Sequence, residues 1–388
     1  MNRSGTGSKV RVCQLISSFY PIVGGAETAT LRLSQGLLEL GMEVVVLTRR
    51  YPGLSARETV GGIEVRRLGL PSSSKWAMPF FVLHVLWILM VSMRGFRVLH
   101  AQGSDAQLIS GLLARVCLGR RLVLTLHSDP RLRLRIRPHG GGLRVRAVKA
   151  WVDALGILGP HMKEVLVAEG FPPEKIVELP NSVDTLRFRP AEGLERAQLR
   201  SNLKVEEQDL VVVFLGRLIP LKRVDLLLQA WASTEVLHPG VLLILGEGPE
   251  GEHLRALKDE LPAARRARVQ FLGNHSCPED VLRAADLLVL PSQLEGQSMA
   301  LLEAMACGLV PIVSDLEANL ALVEEGCTGF SFQKDDQASL ALALTRAAAC
   351  DRAGIGGRAR SRVCAEHSSE SVARTHMELY EVLSSGQD

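Results

Sequence analysis

The chain is short of several things that would fix a function at once. Its seven cysteines are an odd number with no C-x-x-C spacing. That removes a disulfide framework and a zinc module from consideration and makes a reducing cytoplasm the expected compartment. Aromatic residues are only 4% of the chain, too few for base-stacking platforms, and no RNA- or DNA-binding motif occurs, so nucleic acid is not an expected partner. The G-x-G-x-x-G dinucleotide fingerprint is missing, which weakens a nicotinamide or flavin reading. There is no low-complexity tract and no sequence-level repeat. Residues 1–9 are polar and the apolar run after them is interrupted by Arg11 and Gln14, a pattern expected of a first strand and not of a signal peptide.

What is present describes a globular protein. At 388 residues, 47% hydrophobic and 22% charged, the chain is long enough for two or three domains with full cores. Both halves show an α/β rhythm. In the second half, an apolar strand from Asp286 to Leu290 is stopped by Pro291 and Ser292. Ser298 is then placed to cap a helix running to about Cys307, with Gly308 as its end signal. The loop and the helix start therefore sit at the carboxyl edge of a strand, where open α/β sheets bind ligands and where first-turn amides, here those of Met299 and Ala300, face an anion. Two carboxylates bracket this segment. Glu295 lies in the loop, within reach of a sugar hydroxyl, and Glu303 lies inside the helix, able to accept hydrogen bonds from a vicinal diol such as a ribose. Taken as one pair they read as surface charges. Upstream, however, the strand from Leu210 ends at Gly216, and Arg217 and Lys222 flank the turn into a helix starting near Leu221. There a guanidinium and an ammonium together can neutralise a diphosphate. The run V-L-L-I-L-G-E-G-P, ending at Pro249, is a third strand with a glycine-rich exit. Carboxylates and cations at three strand exits describe a nucleotide-sugar site better than they describe scattered surface charge.

The first half opens with a strand from Val10 to Ile16. Gly24, Gly25, Ala26 and Glu27 then begin an amphipathic helix, with Leu31, Leu33, Leu37 and Leu38 on its apolar side and Gly41 as its stop, and Glu43 to Leu47 is the next strand. Glycine permits close backbone approach at such a turn. Farther on, Arg121 to Leu126 is a strand with His127 at its carboxyl end.

These elements, in order and roughly in spacing, resemble glycosyltransferase family 4, retaining enzymes of the GT-B fold. The likeness is carried by G-R-L with Lys222 and Asp225, L-G-E-G-P, A-D-L-L-V-L-P-S and the E-x7-E of Glu295 and Glu303. It covers nearly the whole chain. The resemblance implies that Arg217 and Lys222 hold the diphosphate, Glu303 the ribose and Glu295 the donor sugar. It also implies that the P-x-x-G-G-A-E loop with Gly24 and Gly25 approaches the donor phosphates, and that His127, in a T-x-H context, borders donor sugar and acceptor. There are departures. Arg223 follows Lys222 where glycine is usual, Gln297 and Ser298 replace a Phe-Gly pair, and Ser182 stands for the glycine of the N-G-V-D linker segment. None removes a charge that the chemistry needs; they bear on sugar and acceptor choice. No D-x-D motif occurs, the one Asp pair, Asp335 and Asp336, lying elsewhere. Arg217, Lys222 and helix amides are therefore expected to stabilise the leaving diphosphate without a metal or other cofactor. The family suggests a front-face route in which the leaving phosphate helps deprotonate the acceptor.

The expected architecture is α/β, two Rossmann-like domains facing across a cleft. Residues 1–190 would hold the acceptor, residues 191–368 the nucleotide sugar, and residues 369–388 a helix that crosses back to the first domain. A nucleotide-sugar epimerase, a sugar phosphorylase or an inactive membrane-associated scaffold are the alternatives. Charge is divided unevenly. Residues 1–190 hold 26 Lys and Arg against 13 Asp and Glu, net +13, and the remainder hold 19 against 29, net −10. An anionic membrane or lipid phosphate fits such a basic body. Two segments point the same way. Trp76 to Met93 is almost wholly apolar, and it reads as a buried or interfacial helix before it reads as a span of about 20 residues. In the run Arg131, Arg133, Arg135, Arg137, alternation with aliphatics would place four arginines on one side of an extended chain. The expectation is a peripheral cytoplasmic enzyme with a lipid-linked or cell-envelope glycan acceptor.

Overall fold

Short runs of Val, Leu and Ile, each ended by glycine, proline or a polar turn, become the strands of two sheets buried on both faces. The structure, a computed structural model, describes residues 10–22, 24–134, 136, 142–234 and 239–386. The chain divides into two units, the first made of residues up to Ser182 together with those from Ser369 on, the second of Val183–Ser368.

The first unit holds β1 (Arg11–Ile16), β2 (Glu43–Arg49), β3 (Arg57–Val60), β4 (Ile63–Leu68), β5 (Val98–Gln102), β6 (Arg121–Thr125), β7 (Ala154–Ile157) and β8 (Ile176–Glu178). They lie in the order β3-β4-β2-β1-β5-β6-β7-β8. Only β3, paired with β4 through a turn at Gly61 and Gly62, runs antiparallel. The second unit holds β9 (Leu210–Leu215), β10 (Gly240–Leu245), β11 (Val269–Gly273), β12 (Leu287–Leu290), β13 (Val310–Ser314) and β14 (Phe330–Phe332). Its order is β11-β10-β9-β12-β13-β14, with every pair parallel. Each sheet therefore has a switch point where successive connections leave in opposite directions: between β1 and β5 in the first unit and between β9 and β12 in the second. At such points the loops beyond the strand ends part and leave a crevice.

The border between the units falls after Ser182, earlier than the 190 that linker composition indicated. The segment looks like a linker because it is rich in Pro, Asn, Asp and Arg, yet Val183 and Phe188 are fully buried in the second unit's core. The helix Ser369–Ser385 belongs to the first unit, as the architecture expected from sequence requires. It packs on the helix Gly25–Glu39. Gly36 makes this possible, because a Cβ there would come within 2.9 Å of Ala373 Cβ and 3.0 Å of the Ser369 carbonyl. Tyr380 and Ala373 are fully buried beside Val12, Leu37 and Val98. The apolar run after Trp76 forms the helix Met78–Val91, half of it in the first unit's core. No helix among the described residues is long and apolar enough to cross a membrane.

Candidate active site

In the second unit the sheet order β10-β9-β12 makes neighbours of the three strand exits that carry the motifs. After β9 the chain passes Gly216 and an exposed Arg217 into a single 3-10 turn, Pro220–Lys222, before the helix Val224–Ser233. After β12 it forms the loop that carries Glu295. Lys222 Nζ donates to Glu295 Oε1 at 2.5 Å, and Ser292 Oγ donates to the same oxygen at 2.7 Å. Two residues 73 apart in sequence thus meet at the switch point, with the Glu295 side chain nearly buried and Lys222 one-fifth exposed. Lys222 has three donors, so the pair orients the ammonium while leaving donors for an anion. The Arg217 guanidinium makes no hydrogen bond or ion pair among the described residues, and it is the more available cation.

The helix after this loop is Met299–Ala306, capped by Ser298, whose hydroxyl accepts from the Leu301 amide at 3.4 Å. The Met299 and Ala300 amides precede the first intrahelical bond. Glu303, one turn in, is buried. Asp286, expected to begin β12, precedes it, and its carboxylate accepts from Arg196 (2.6 Å), Arg200 (2.8 Å) and the Val211 amide (2.8 Å), binding β12 to β9.

Two features of this edge were not anticipated from sequence. The first is backbone proximity. A Cβ on Gly246 would overlap the Gly216 carbonyl, and one on Gly248 would overlap that of Leu218. The Leu218 amide donates to Glu247 O at 3.0 Å, so the G-E-G-P and G-R-L loops are laced together. The G-E-G spacing was the available signal. The second is Arg223, which sits at φ 48°, ψ 43°, a left-handed conformation that costs an L-residue roughly 1–2 kcal/mol. That is why glycine is usual there. Here Arg223 pairs with Asp225 (3.1 Å) and with Asp335, which also accepts from Gln293 Nε2 at 2.9 Å. The exits of β9, β12 and β14 are thus tied through one aspartate.

In the first unit, Gly24 and Gly25 follow β1 and open the helix Gly25–Glu39; a Cβ at Gly25 would meet nothing within 4 Å. Glu27, in the first turn, accepts from Ser18 Oγ at 2.5 Å. His127 lies beyond β6, two strands away from β1 in the sheet order. Its Nε2 contacts Gln102 Oε1 at 2.8 Å. Gln102 Nε2 donates to Gln14 Oε1 at 2.9 Å, so the Gln102 oxygen must accept, which places the His127 proton on Nε2 and leaves Nδ1 as an acceptor. Burial, with the charge of Arg133 second, pushes the His127 pKa down to about 4. Behind it, His100 spans the Tyr380 hydroxyl (2.6 Å) and the Thr125 hydroxyl (2.7 Å), and burial holds its pKa well below the ordinary value. His376 is pushed down to about 4, also by burial. Neutral hydrogen bonds thus connect the C-terminal helix to His127. The signal in sequence was polar Gln14, His100 and Gln102 inside otherwise apolar strands.

The arginine run differs from expectation. Pro130–Leu134 is a short helix, because Asp129 accepts from the Arg131 amide at 2.7 Å and Pro130 is pre-set for a first helical position. Period two therefore does not align Arg131 and Arg133 on one side of an extended chain. Arg131 lies 3.5 Å from Glu169, and Arg133 Nε donates to Ser128 Oγ at 2.6 Å. Arg135 and Arg137 lie outside the described residues. Among the described residues no group of three or more His, Cys, Asp and Glu is placed to hold a metal ion.

Two sheets of this topology, parallel except for β3, with a conjunction of cation, carboxylate and capped helix at one switch point, have the architecture of a GT-B glycosyltransferase. A family profile described as "Glycosyltransferase Family 4" matches residues 23–187, and one described as "Glycosyl transferases group 1" matches residues 195–362. The chain belongs to glycosyltransferase family 4. Its relatives include one of the subunits of phosphatidylinositol N-acetylglucosaminyltransferase from Arabidopsis thaliana. That protein is 27% identical over 317 residues, covering 78% of this chain and 67% of the relative. D-inositol 3-phosphate glycosyltransferase of Mycobacterium tuberculosis is 33% identical over 216 residues, covering 53% of this chain and 43% of the relative. The matches thus span from under half to about two thirds of these relatives. Among solved structures, sucrose-phosphate synthase from Thermosynechococcus elongatus superposes with a TM-score of 0.82 at 22% identity, covering 98% of this chain and all of the other. HepE from Anabaena in complex with UDP and glucose gives 0.77 at 19%, covering 97% and 100%.

Proposed function

We propose that the protein transfers a sugar from a nucleoside-diphosphate sugar to an acceptor hydroxyl with retention at the anomeric carbon and without a metal ion. The observation that carries this is the Lys222–Glu295 contact at the β9/β12 switch point, beside the capped Met299–Ala306 helix and buried Glu303. In this reading Arg217, Lys222 and the Met299 and Ala300 amides take the charge that builds on the leaving diphosphate, as oriented donors do in an oxyanion hole. Gly216 and the Gly24–Gly25 turn let backbone approach the phosphates. Glu303 accepts from the ribose hydroxyls and Glu295 from the donor sugar. His127, neutral with its acceptor nitrogen fixed, orders a sugar or acceptor hydroxyl. The acceptor hydroxyl loses its proton to the departing phosphate oxygen on the face where the new bond forms.

A UDP complex among the solved relatives supports a nucleoside diphosphate as the leaving group. The names of two relatives, one a phosphatidylinositol and one an inositol phosphate glycosyltransferase, support a phosphate-bearing or lipid-linked acceptor; on the proposed reading that acceptor is met on the cytoplasmic membrane face. The test is a screen of nucleotide sugars for thermal stabilisation, followed by transfer to candidate acceptors with the product anomer read by NMR. A matched donor at 100 times its dissociation constant adds about 2.7 kcal/mol of stability. An inverted anomer overturns retention; isomerised sugar formed from donor alone replaces the transferase with an epimerase.

A further inference from the structure

The helix Met78–Val91 has two apolar faces, of which the fold uses one. Phe81, Val82, Val85, Ile88 and Leu89 are buried in the first unit's core. On the other side Phe80 (52% exposed), Leu83 (64%), Trp87 (55%) and Met90 (51%) follow at intervals of three and four residues, and Trp76, just before the helix, is 88% exposed. That spacing is one continuous stripe. The helix Ala106–Leu118, packed alongside, adds exposed Ile109, Leu113 and Val116. Scattered single apolar residues on a surface need no explanation, whereas a contiguous set containing two tryptophans marks a place that something covers.

The end of the helix says what. Arg94, Arg97 and Arg120 gather there, and none of them is paired with a carboxylate among the described residues. Arg120 donates to the Arg94 carbonyl at 2.8 Å and to that of Leu89 at 3.4 Å, and Arg94 donates to Met90 O at 2.8 Å, so these two guanidinium groups are fixed to the helix's own carboxyl end, while Arg97 donates to the Ser384 carbonyl at 3.5 Å. Burial, and then the charge of Arg97, lower the Arg120 pKa, as expected where neighbouring charge is of one sign. An apolar stripe with tryptophan on it and unneutralised arginines at its end matches the acyl and anionic headgroup layers of a bilayer. Length decides the mode. The 14 residues of the helix span about 21 Å at 1.5 Å per residue, short of a hydrocarbon core of about 30 Å.

We propose that this face docks the first unit on an anionic lipid bilayer, the helix lying in the interface with Leu83 and Trp87 inserted and Arg94, Arg97 and Arg120 against lipid phosphates. It deepens the lipid-linked acceptor reading given above while resting on residues separate from the arginine run 131–137.

The test uses the full chain with sedimentation on vesicles of equal parts phosphatidylglycerol and phosphatidylcholine, on phosphatidylcholine alone, and on the anionic vesicles with bromine-labelled acyl chains. The wild type is expected to pellet with anionic vesicles at low salt, to be released by high salt, and to show tryptophan quenching by the brominated lipid. Leu83→Ser with Trp87→Ser should lower partitioning at least tenfold and remove much of the quenching. Arg94→Gln with Arg97→Gln should cost about fivefold per charge on anionic vesicles and nothing on neutral ones. Because these side chains are exposed, melting temperature and nucleoside-diphosphate affinity should stay as in the wild type. Those readouts separate failure of docking from failure of the transferase reading. Absence of vesicle binding, or binding that neither variant alters, overturns the proposal. So does a lipid-free dimer in sedimentation equilibrium that Leu83→Ser with Trp87→Ser dissolves, since a second copy would then cover the face.

Discussion

The two sheets end in edges built on opposite electrostatic principles. Beyond β9 and β12 the edge is ionic: an exposed Arg217, the largely buried Lys222–Glu295 pair and the partly exposed Arg223–Asp335 tie are all charged. At the ends of β1, β5 and β6 a neutral hydrogen-bonded network is buried behind the charged loop residues: Gln14, His100 and Gln102 are buried, Tyr380 and His376 seal the network from the C-terminal helix, and His127 sits at its margin. A site that must take up a doubly charged leaving group is served by cations with spare donors. A site that must orient hydroxyls is served by groups whose protons are fixed and whose charge is suppressed. In the same fold type, the contrast is in keeping with the proposed division, phosphate handling by one unit and hydroxyl orientation by the other.

The largest expected effect exposes that contrast through pH. His127 and His376 are held near pKa 4 in the folded protein, while the unfolded chain binds their protons near 6.5. Folding stability from these groups is therefore complete above about pH 6.5 and is lost as pH falls toward 4. For the pair the loss between pH 7 and 5 is on the order of 4 kcal/mol. Hydrogen exchange followed peptide by peptide should show β1, β5 and β6 losing protection first. Equal acid sensitivity in β9 and β12 would break the comparison.

Next in size is the ionic edge itself. Lys222→Ala should weaken nucleoside-diphosphate binding by roughly 1.5 to 3 kcal/mol, the worth of a charged hydrogen bond, as measured by calorimetry. Glu295→Gln should do the opposite to binding. With the carboxylate neutralised, Lys222 gives its full charge to the diphosphate, so affinity rises while turnover falls. Weaker diphosphate binding in Glu295→Gln would mean that the carboxylate serves only to position Lys222. Glu303→Gln should cost about 1 kcal/mol and should cost it for a ribonucleotide, with the 2′-deoxy analogue little affected; parallel losses would take Glu303 away from the ribose.

The smallest effect concerns Arg223. Arg223→Gly relieves a left-handed residue worth roughly 1–2 kcal/mol and removes partly exposed ion pairs to Asp225 and Asp335, each worth at most about 1 kcal/mol. Melting temperature should therefore stay within about 4 °C. A larger drop would show that Asp335 holds the β9, β12 and β14 exits together more strongly than surface pairing allows.

Sequence by itself determined a good deal. Apolar runs closed by glycine and proline gave the strands Leu210–Leu215 and Arg121–Thr125, Ser298 gave the start of the Met299–Ala306 helix, and the order of motifs gave the family, because these signals are local and written in consecutive residues. It also placed Lys222 and Glu295 at strand exits. Only the tertiary structure decided that those exits adjoin. The chain leaves β9, builds β10 and β11 on one side and returns to β12 on the other, and no local signal encodes the order of strands. Burial was decided in the same way. Composition made Val183 and Phe188 look like linker and period two made Arg131–Arg137 look extended, while core packing claimed the first pair and an Asp129 cap with Pro130 turned the start of the second into a helix. Likewise the apolar run after Trp76 could be read as buried, interfacial or spanning. Which side chains faced a core and which faced out depended on what the rest of the chain brought against them, since hydrophobic burial is a property of contacts between distant segments and not of the segment alone.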